Sequence, residues 1–359
     1  MLLMKSNELN SNINALLKQG TVVVAHPLAL TENLKIDEER QRLLTNYYIA
    51  AGVGGVAVAV HTTQFEIRKP GIDLLEPVLQ IATEEIETAN LNRPFIKVAG
   101  ICGPTLNATR EAELAVKYGY HFGLLSMGGL NNYSNTELIK HARAIAEIIP
   151  VFGFYLQPAA GGRLLSYEFW RDFAEIPNVH AIKVAAFNRY QTLDVVRAIC
   201  NSSRSDEIAL YTGNDDNIVA DLLTPYQFTI NGEKVEKRFV GGLLGHWAVW
   251  TKKAVELFSD IKQYIENNYS GVKELLSAGI KVTDMNAAIF DAKNNYKGCI
   301  AGIHEVLRRQ GLLKGIWCLS PEEKLSAGQV EEIDRIYKSY PDFIDDEFVK
   351  RFLEGKGFY

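Results

Sequence analysis

The sequence is poor in cysteine and has no long apolar run. Its four cysteines, Cys102, Cys200, Cys299 and Cys318, show neither CxxC spacing nor a neighbouring histidine cluster. That argues against a disulfide framework or a structural zinc and fits a reducing, cytoplasmic setting, with the thiols expected free in the core. The longest apolar stretches, such as Gly52 to Val60, fall far short of the ~20 residues of a membrane span. Met1 to Gly20 carries Lys5, Glu8 and Lys18 where a secretory signal would carry a sustained apolar segment, so none is expected. Neither sign of charge dominates: 38 Lys and Arg face 43 Asp and Glu, a net charge of −5. With no basic stripe interleaved with aromatics, neither nucleic acid nor a membrane is an expected partner. No His, Asp or Glu cluster falls at successive strand ends, so neither a metal nor a cofactor is expected.

What is present is apolar sequence in short, regular doses. Hydrophobic residues make up 47% of the 359, enough to bury one large core. β-rich runs begin at Thr21, Gly54, Pro94, His121, Val151, Val179, Glu207 and Lys237, with amphipathic stretches between most of them. This alternation marks βα units, and eight strands predict a closed (β/α)8 TIM barrel of α/β class. Helices are expected over Asp37 to Ala51, stopped by Gly52, over Thr109 to Tyr118, and over Thr136 to Ile149 before Pro150. The connection from Pro225 to Glu236, through Asn231-Gly232, is long for its place. From His246 onward helical periodicity dominates. The expected organisation is a barrel with a short N-terminal segment over 1–268 and a helical C-terminal region over 269–359.

In such a barrel, chemistry belongs at the C-terminal ends of the strands. Lys183 lies there, in the apolar run Ala181 to Ala186. Desolvation lowers a lysine pKa and leaves an amine able to attack a carbonyl. A lysine paired with a carboxylate across the barrel accounts for the spacing equally well. Lys97, in Phe95 to Ala99, has a similar setting, and burial alone does not separate the two. Tyr155, one βα unit before Lys183, favours Lys183, because its phenol would relay protons there; alone it would read as a core tyrosine. His61-Thr62-Thr63-Gln64 ends the second strand, where the threonines offer hydroxyls and N–H groups to a carboxylate or simply form a turn. Gly213 to Asp216 and Gly241-Gly242 are mouth loops of little specificity by themselves.

Together these segments resemble the dihydrodipicolinate synthase / N-acetylneuraminate lyase family of Schiff-base-forming lyases, from about Thr21 to Tyr337. The matching motifs are HTTQFE from His61 for a GTTGE-like turn, YLQP from Tyr155 for YNxP, and IKV from Ile182 for the lysine strand. Supporting matches are Ala99-Gly100 with Asn107 to Thr109, GNDD from Gly213 and LSPEE from Leu319. The resemblance implies Lys183 as the Schiff-base lysine, Tyr155 as proton relay, and Thr62 and Thr63 as holders of the keto-acid carboxylate. It places His61, Gln64, Gly213, Asp215 and Gly241 around the substrate, and it implies a homodimer or homotetramer. There are departures. The strand-four tyrosine position falls at Gly129 or Leu130, with Tyr133 nearby; the arginine position falls near Ala160, with Arg163 arriving late; and Val184 replaces an acidic residue. The expected function is a lyase, aldolase or dehydratase acting on pyruvate-like or 2-keto-3-deoxy acids. Alternatives are a genuine 4-hydroxy-tetrahydrodipicolinate synthase and a non-catalytic barrel that binds a sugar acid.

Overall fold

The computed structural model describes residues 9–268 and 271–355. Eight parallel strands close into a barrel: β1 (Val22–Ala25), β2 (Gly55–Val58), β3 (Ile96–Ile101), β4 (Phe122–Ser126), β5 (Val151–Leu156), β6 (Val179–Ala185), β7 (Ala209–Thr212) and, after an inserted hairpin, β10 (Phe239–Leu244), which pairs with both β7 and β1. The intervening helices are α2 (Glu38–Ala51), α3 (Leu75–Thr88), α4 (Thr105–Lys117), α5 (Asn135–Ala146), α6 (Tyr167–Ala174), α7 (Arg189–Cys200) and α8 (Ile218–Leu223). The fold is a TIM barrel with a helical C-terminal region, and its eight barrel strands coincide with the eight β-rich runs.

Two local expectations fail. The long connection before the last barrel strand is a hairpin, β8 (Tyr226–Ile230) and β9 (Glu233–Lys237). Asn231 and Gly232 both adopt positive φ, 53° and 86°, the pairing that a two-residue hairpin turn requires. Helix α4 starts at Thr105, behind Pro104, so it begins four residues before the expected start at Thr109. Proline ahead of the first turn forfeits no hydrogen bond, which makes it an equally good start signal.

Residues of alternate parity fill the barrel. Val23, Ala57, Val98, Leu124, Phe152, Phe154, Ala181 and Tyr211 form an interior cluster separate from the layer between sheet and helices. The N-terminal helix α1 (Ser11–Gln19) contributes Ile13 and Leu17 to it, and the Tyr211 hydroxyl donates to the Leu17 carbonyl at 2.9 Å. That helix packs against the N-terminal end of the barrel interior.

Helices α9 (Thr251–Glu266), α10 (Val272–Ile289), α11 (Cys299–Arg309), α12 (Gln329–Ser339) and α13 (Asp346–Leu353) complete the chain. Buried Asp345 ties this region to the barrel: it accepts from the Tyr47 hydroxyl at 2.7 Å, Lys252 N at 3.0 Å and Gln310 Nε2 at 2.8 Å. The expected boundary at Tyr269, and Lys5 and Glu8 near the start, lie outside the described residues. Among the described residues, no helix is long and apolar enough to cross a membrane.

Candidate active site

Lys183 and Lys97 are equally buried, each 7% exposed, yet they occupy opposite faces of the sheet. Ile96 and Val98 point into the barrel, so Lys97 between them points out towards the helices. There its ammonium donates to the Tyr118 carbonyl at 3.3 Å and lies 3.6 Å from Glu87. Lys183 has the inward parity, between Ala181 and Ala185, near the C-terminal end of β6. It faces a cavity of about 310 Å³ at the barrel mouth.

Three neighbours shape the Lys183 amine. Its Nζ lies 4.4 Å from the centre of the Phe154 ring, its register partner on β5. Asp215, after β7, lines the same cavity. Burial pushes the lysine pKa below its usual range, opposed by the Asp215 charge. Burial likewise pushes the Asp215 carboxyl up, opposed by its hydrogen bond from His246 N at 3.0 Å and then by Lys183. Desolvation dominates at both groups, so each moves towards its neutral form. The third neighbour is Gly213: a β-carbon there would sit 2.5 Å from Lys183 Cε. Only glycine leaves room for the lysine stem in this pose.

The loop carrying Gly213 and Asp215 is pinned from behind. Fully buried Asp221 accepts from the Thr212 hydroxyl at 2.8 Å, Asn214 Nδ2 at 2.9 Å and Tyr226 hydroxyl at 3.1 Å, and pairs with Arg189. Asn214 Oδ1 in turn accepts from Phe187 N at 3.0 Å, joining the loops after β6 and β7. Asn286 of α10 donates to the Asp215 carbonyl at 2.6 Å.

At the end of β2, Thr62 and His61 line the cavity. Thr63 lies beneath it, its hydroxyl donating to the His26 carbonyl at 2.7 Å and accepting from Val60 N at 3.2 Å. Thr62 also donates to that carbonyl, at 3.2 Å. Burial, reinforced by Lys183, lowers His61 to about 4, so its ring is neutral near pH 7. Gln64 does not reach the cavity: it is buried, at a φ of 68°, with its Oε1 accepting from Leu319 N at 2.6 Å. Gly241 is also away from it; a β-carbon there would meet the Thr21 backbone at 2.5 Å, so its role is close strand packing.

Tyr155 requires correction. Strand parity turns Phe154 and Leu156 inward and Tyr155 outward, beside Val184 in register. Its ring packs on Trp170 at 5.5 Å, and its oxygen accepts a long 3.5 Å contact from Leu165 N. A phenol on the helix side of the sheet cannot relay protons to an amine inside it. Arg163 and Tyr133, near the missing arginine and tyrosine positions, do not line the cavity either. Arg163 donates to the carbonyls of Leu130 and Tyr133, and Tyr133 packs beside His141.

The outer wall comes instead from the C-terminal region, where the sequence marked the LSPEE match but gave no sign of Tyr296 or Lys297. Tyr296 and Lys297, between α10 and α11, and Cys299 at the start of α11 line the cavity with Ser320, Glu322 and Glu323. Tyr296 stacks edge-on with Phe187 at 5.6 Å. The LSPEE motif was visible as a match, but nothing local said that it would fold over the mouth. Positive φ at Asp291, Asn295 and Tyr296 redirects the chain there, and an Asp or Asn is a weak signal of such a turn.

A sequence profile of the dihydrodipicolinate synthetase family matches residues 18–225. The 4-hydroxy-tetrahydrodipicolinate synthase of Acaryochloris marina is 32% identical over 151 residues, 40% of this chain and 48% of that protein. That of Cyanothece sp. is 33% identical over 129 residues, 34% of this chain and 42% of that protein. The chain spans about half the length of the curated relatives it matches. Among solved structures, dihydrodipicolinate synthase from Oceanobacillus iheyensis superposes with a TM-score of 0.71 at 17% identity, covering 90% of this chain and 98% of that one. N-acetylneuraminate lyase from Fusobacterium nucleatum gives 0.67 at 17% identity, with 90% and 99% covered. At these identities the likeness is one of fold.

Proposed function

The chain belongs to the dihydrodipicolinate synthetase family, and we propose that it is a Schiff-base-forming lyase or aldolase acting on pyruvate or a 2-keto-3-deoxy acid. The observation that carries this reading is Lys183: an amine driven towards its neutral form, facing the mouth cavity beside one carboxyl group. The amine adds to the C2 carbonyl, forming the C–N bond. The former carbonyl oxygen gains two protons and leaves as water, giving a protonated imine. That imine draws electrons from C3, so either a C3–H or a C3–C4 bond breaks to give an enamine. Reprotonation at C3 and hydrolysis then return the free lysine.

Asp215 is the group suited to move these protons, since burial brings its carboxyl closer to the proton affinity of the amine. Thr62 and the leading N–H groups of its turn would receive the keto-acid carboxylate, with Thr63 holding the turn on the His26 carbonyl. His61 offers a neutral ring to a substrate hydroxyl. Condensation with a carboxylate-bearing aldehyde would need a cation on the second substrate, and Arg163 is engaged elsewhere. The test needs no second substrate. Incubated with pyruvate in D2O, the enzyme should exchange the methyl protons, seen by NMR, and Lys183→Ala should not. Absence of exchange in the native enzyme would leave a binding barrel as the better description.

A further inference from the structure

We propose that the C-terminal region builds a second subsite on the outer wall of the cavity, which selects a neutral, hydroxylated electrophile over one bearing a carboxylate. The inference rests on the Schiff-base reading and concerns the partner that the enamine attacks or the retro-aldol releases. Part of the cavity wall comes from beyond the barrel: Tyr296 and Lys297 before α11, and Ser320, Glu322 and Glu323 after it, the latter segment lying against the β2 turn. These groups hold the far end of any substrate anchored on Lys183, since they line the same cavity.

The charge of this wall is lopsided. Glu323 Oε1 accepts from Ile300 N at 2.8 Å and Ala301 N at 3.3 Å, which fixes the carboxyl at the start of α11. Burial, together with Glu66 and Asp291 nearby, raises its proton affinity. Like charges therefore already crowd this sector. Glu322 adds another on the lining, and Lys297, exposed on the rim, is the cation of this wall among the described residues. A substrate carboxylate placed here would face two lining carboxylates, the half-buried Glu323 and the exposed Glu322, against the single exposed ammonium of Lys297. Hydroxyl groups would instead donate to Glu322 and to the second oxygen of Glu323, bonds strengthened by the acceptor charge. Ser320 and Tyr296 add hydroxyls that can donate or accept. The wall is also held in register with the keto-acid end, because Gln64 from the β2 turn accepts from Leu319 N at 2.6 Å. That contact gives the buried Gln64 a task although it never touches the cavity.

The reaction is a carbon–carbon bond formation in which the enamine C3 attacks the aldehyde carbon and the aldehyde oxygen takes a proton. No further reactant is needed. With pyruvate as donor, D-glyceraldehyde and succinic semialdehyde make a matched comparison of a hydroxylated and a carboxylate-bearing acceptor. The native enzyme should favour D-glyceraldehyde by at least about tenfold in kcat/KM. Glu322→Lys should shift that ratio towards succinic semialdehyde by a similar factor; a ratio within one variant is not mimicked by partial misfolding. Preference for succinic semialdehyde, or its selective loss in Lys297→Ala, would overturn the proposal by making Lys297 a carboxylate clamp. So would methyl exchange of pyruvate with turnover of neither aldehyde. Absence of that exchange in the native enzyme would instead mean that the Schiff-base reading itself had failed.

Discussion

The tetrapeptide Ile-Lys-Val-Ala occurs twice in the barrel, at Ile96 to Ala99 on β3 and at Ile182 to Ala185 on β6. Both lysines are almost wholly buried, and both are pushed below the usual lysine range by desolvation. One is a structural cation and the other faces the mouth, so the difference cannot lie in the tetrapeptide. It lies in phase and height. Lys97 is the second residue of β3 and points to the helices, where a carbonyl, a carboxylate and the Tyr120 ring receive it. Lys183 is the fifth residue of β6 and points inward, at the end of the barrel opposite α1. Because side chains alternate along a strand, a one-residue change of phase would turn Lys183 out of the cavity, but would not bring Lys97, low on its strand, to the mouth.

The largest effect expected from breaking this contrast is at the lysines themselves. Lys183→Ala should abolish pyruvate exchange by at least about 10³-fold, as loss of a covalent nucleophile does, whereas Lys97→Ala should leave the rate close to native and cost some stability. Steady-state exchange and thermal denaturation of the two variants side by side would check this. The same contrast applies one strand to either side. Asp215→Asn should lower exchange roughly 10²–10⁴-fold, the range for a lost acid–base group. Tyr155→Phe, on the outer face, should retain most of it; a loss as large as that of Asp215→Asn would mean that β5 is placed in the wrong phase.

A smaller loss is expected of Gly213→Ala, whose new methyl would press on Lys183 Cε and displace the amine. Roughly 10- to 100-fold slower exchange with little change in fold is the expected result. The subtlest effect is in the pH profile. Only the free amine attacks, so the rate should rise with pH through the Lys183 pKa, which burial sets below the ordinary lysine value. The Asp215 charge opposes that lowering. The residual activity of Asp215→Asn should therefore have its acid limb at lower pH than the native enzyme, and a limb moved to higher pH would contradict the assigned coupling.

The barrel was legible because each strand is an apolar run of β-formers bounded by turns, and periodicity reports that without tertiary knowledge. Lys183 was legible because a lysine in such a run is costly and needs a reason. Burial alone did not separate it from Lys97, since both runs are apolar on both faces and alternation leaves no polar residue to mark the phase; the motif resemblance is what favoured Lys183. Tyr155 was misread for the same reason: the YLQP match fixes a position along the chain but not the face of the strand. The hairpin was written in Asn231-Gly232 and passed over as a long connection. Tyr296, Glu322 and Glu323 lie more than a hundred residues from Lys183, and only the folding of the helical region over the mouth brings them to it.

Reductive trapping tests the central claim most directly. Pyruvate and borohydride added to the native enzyme, followed by proteolysis and peptide mass mapping, report which amine carried the imine. The facing of the two strands predicts the reduced pyruvyl adduct on the peptide containing Lys183, with the Lys97 peptide unmodified. An adduct on Lys97 with Lys183 free would contradict it.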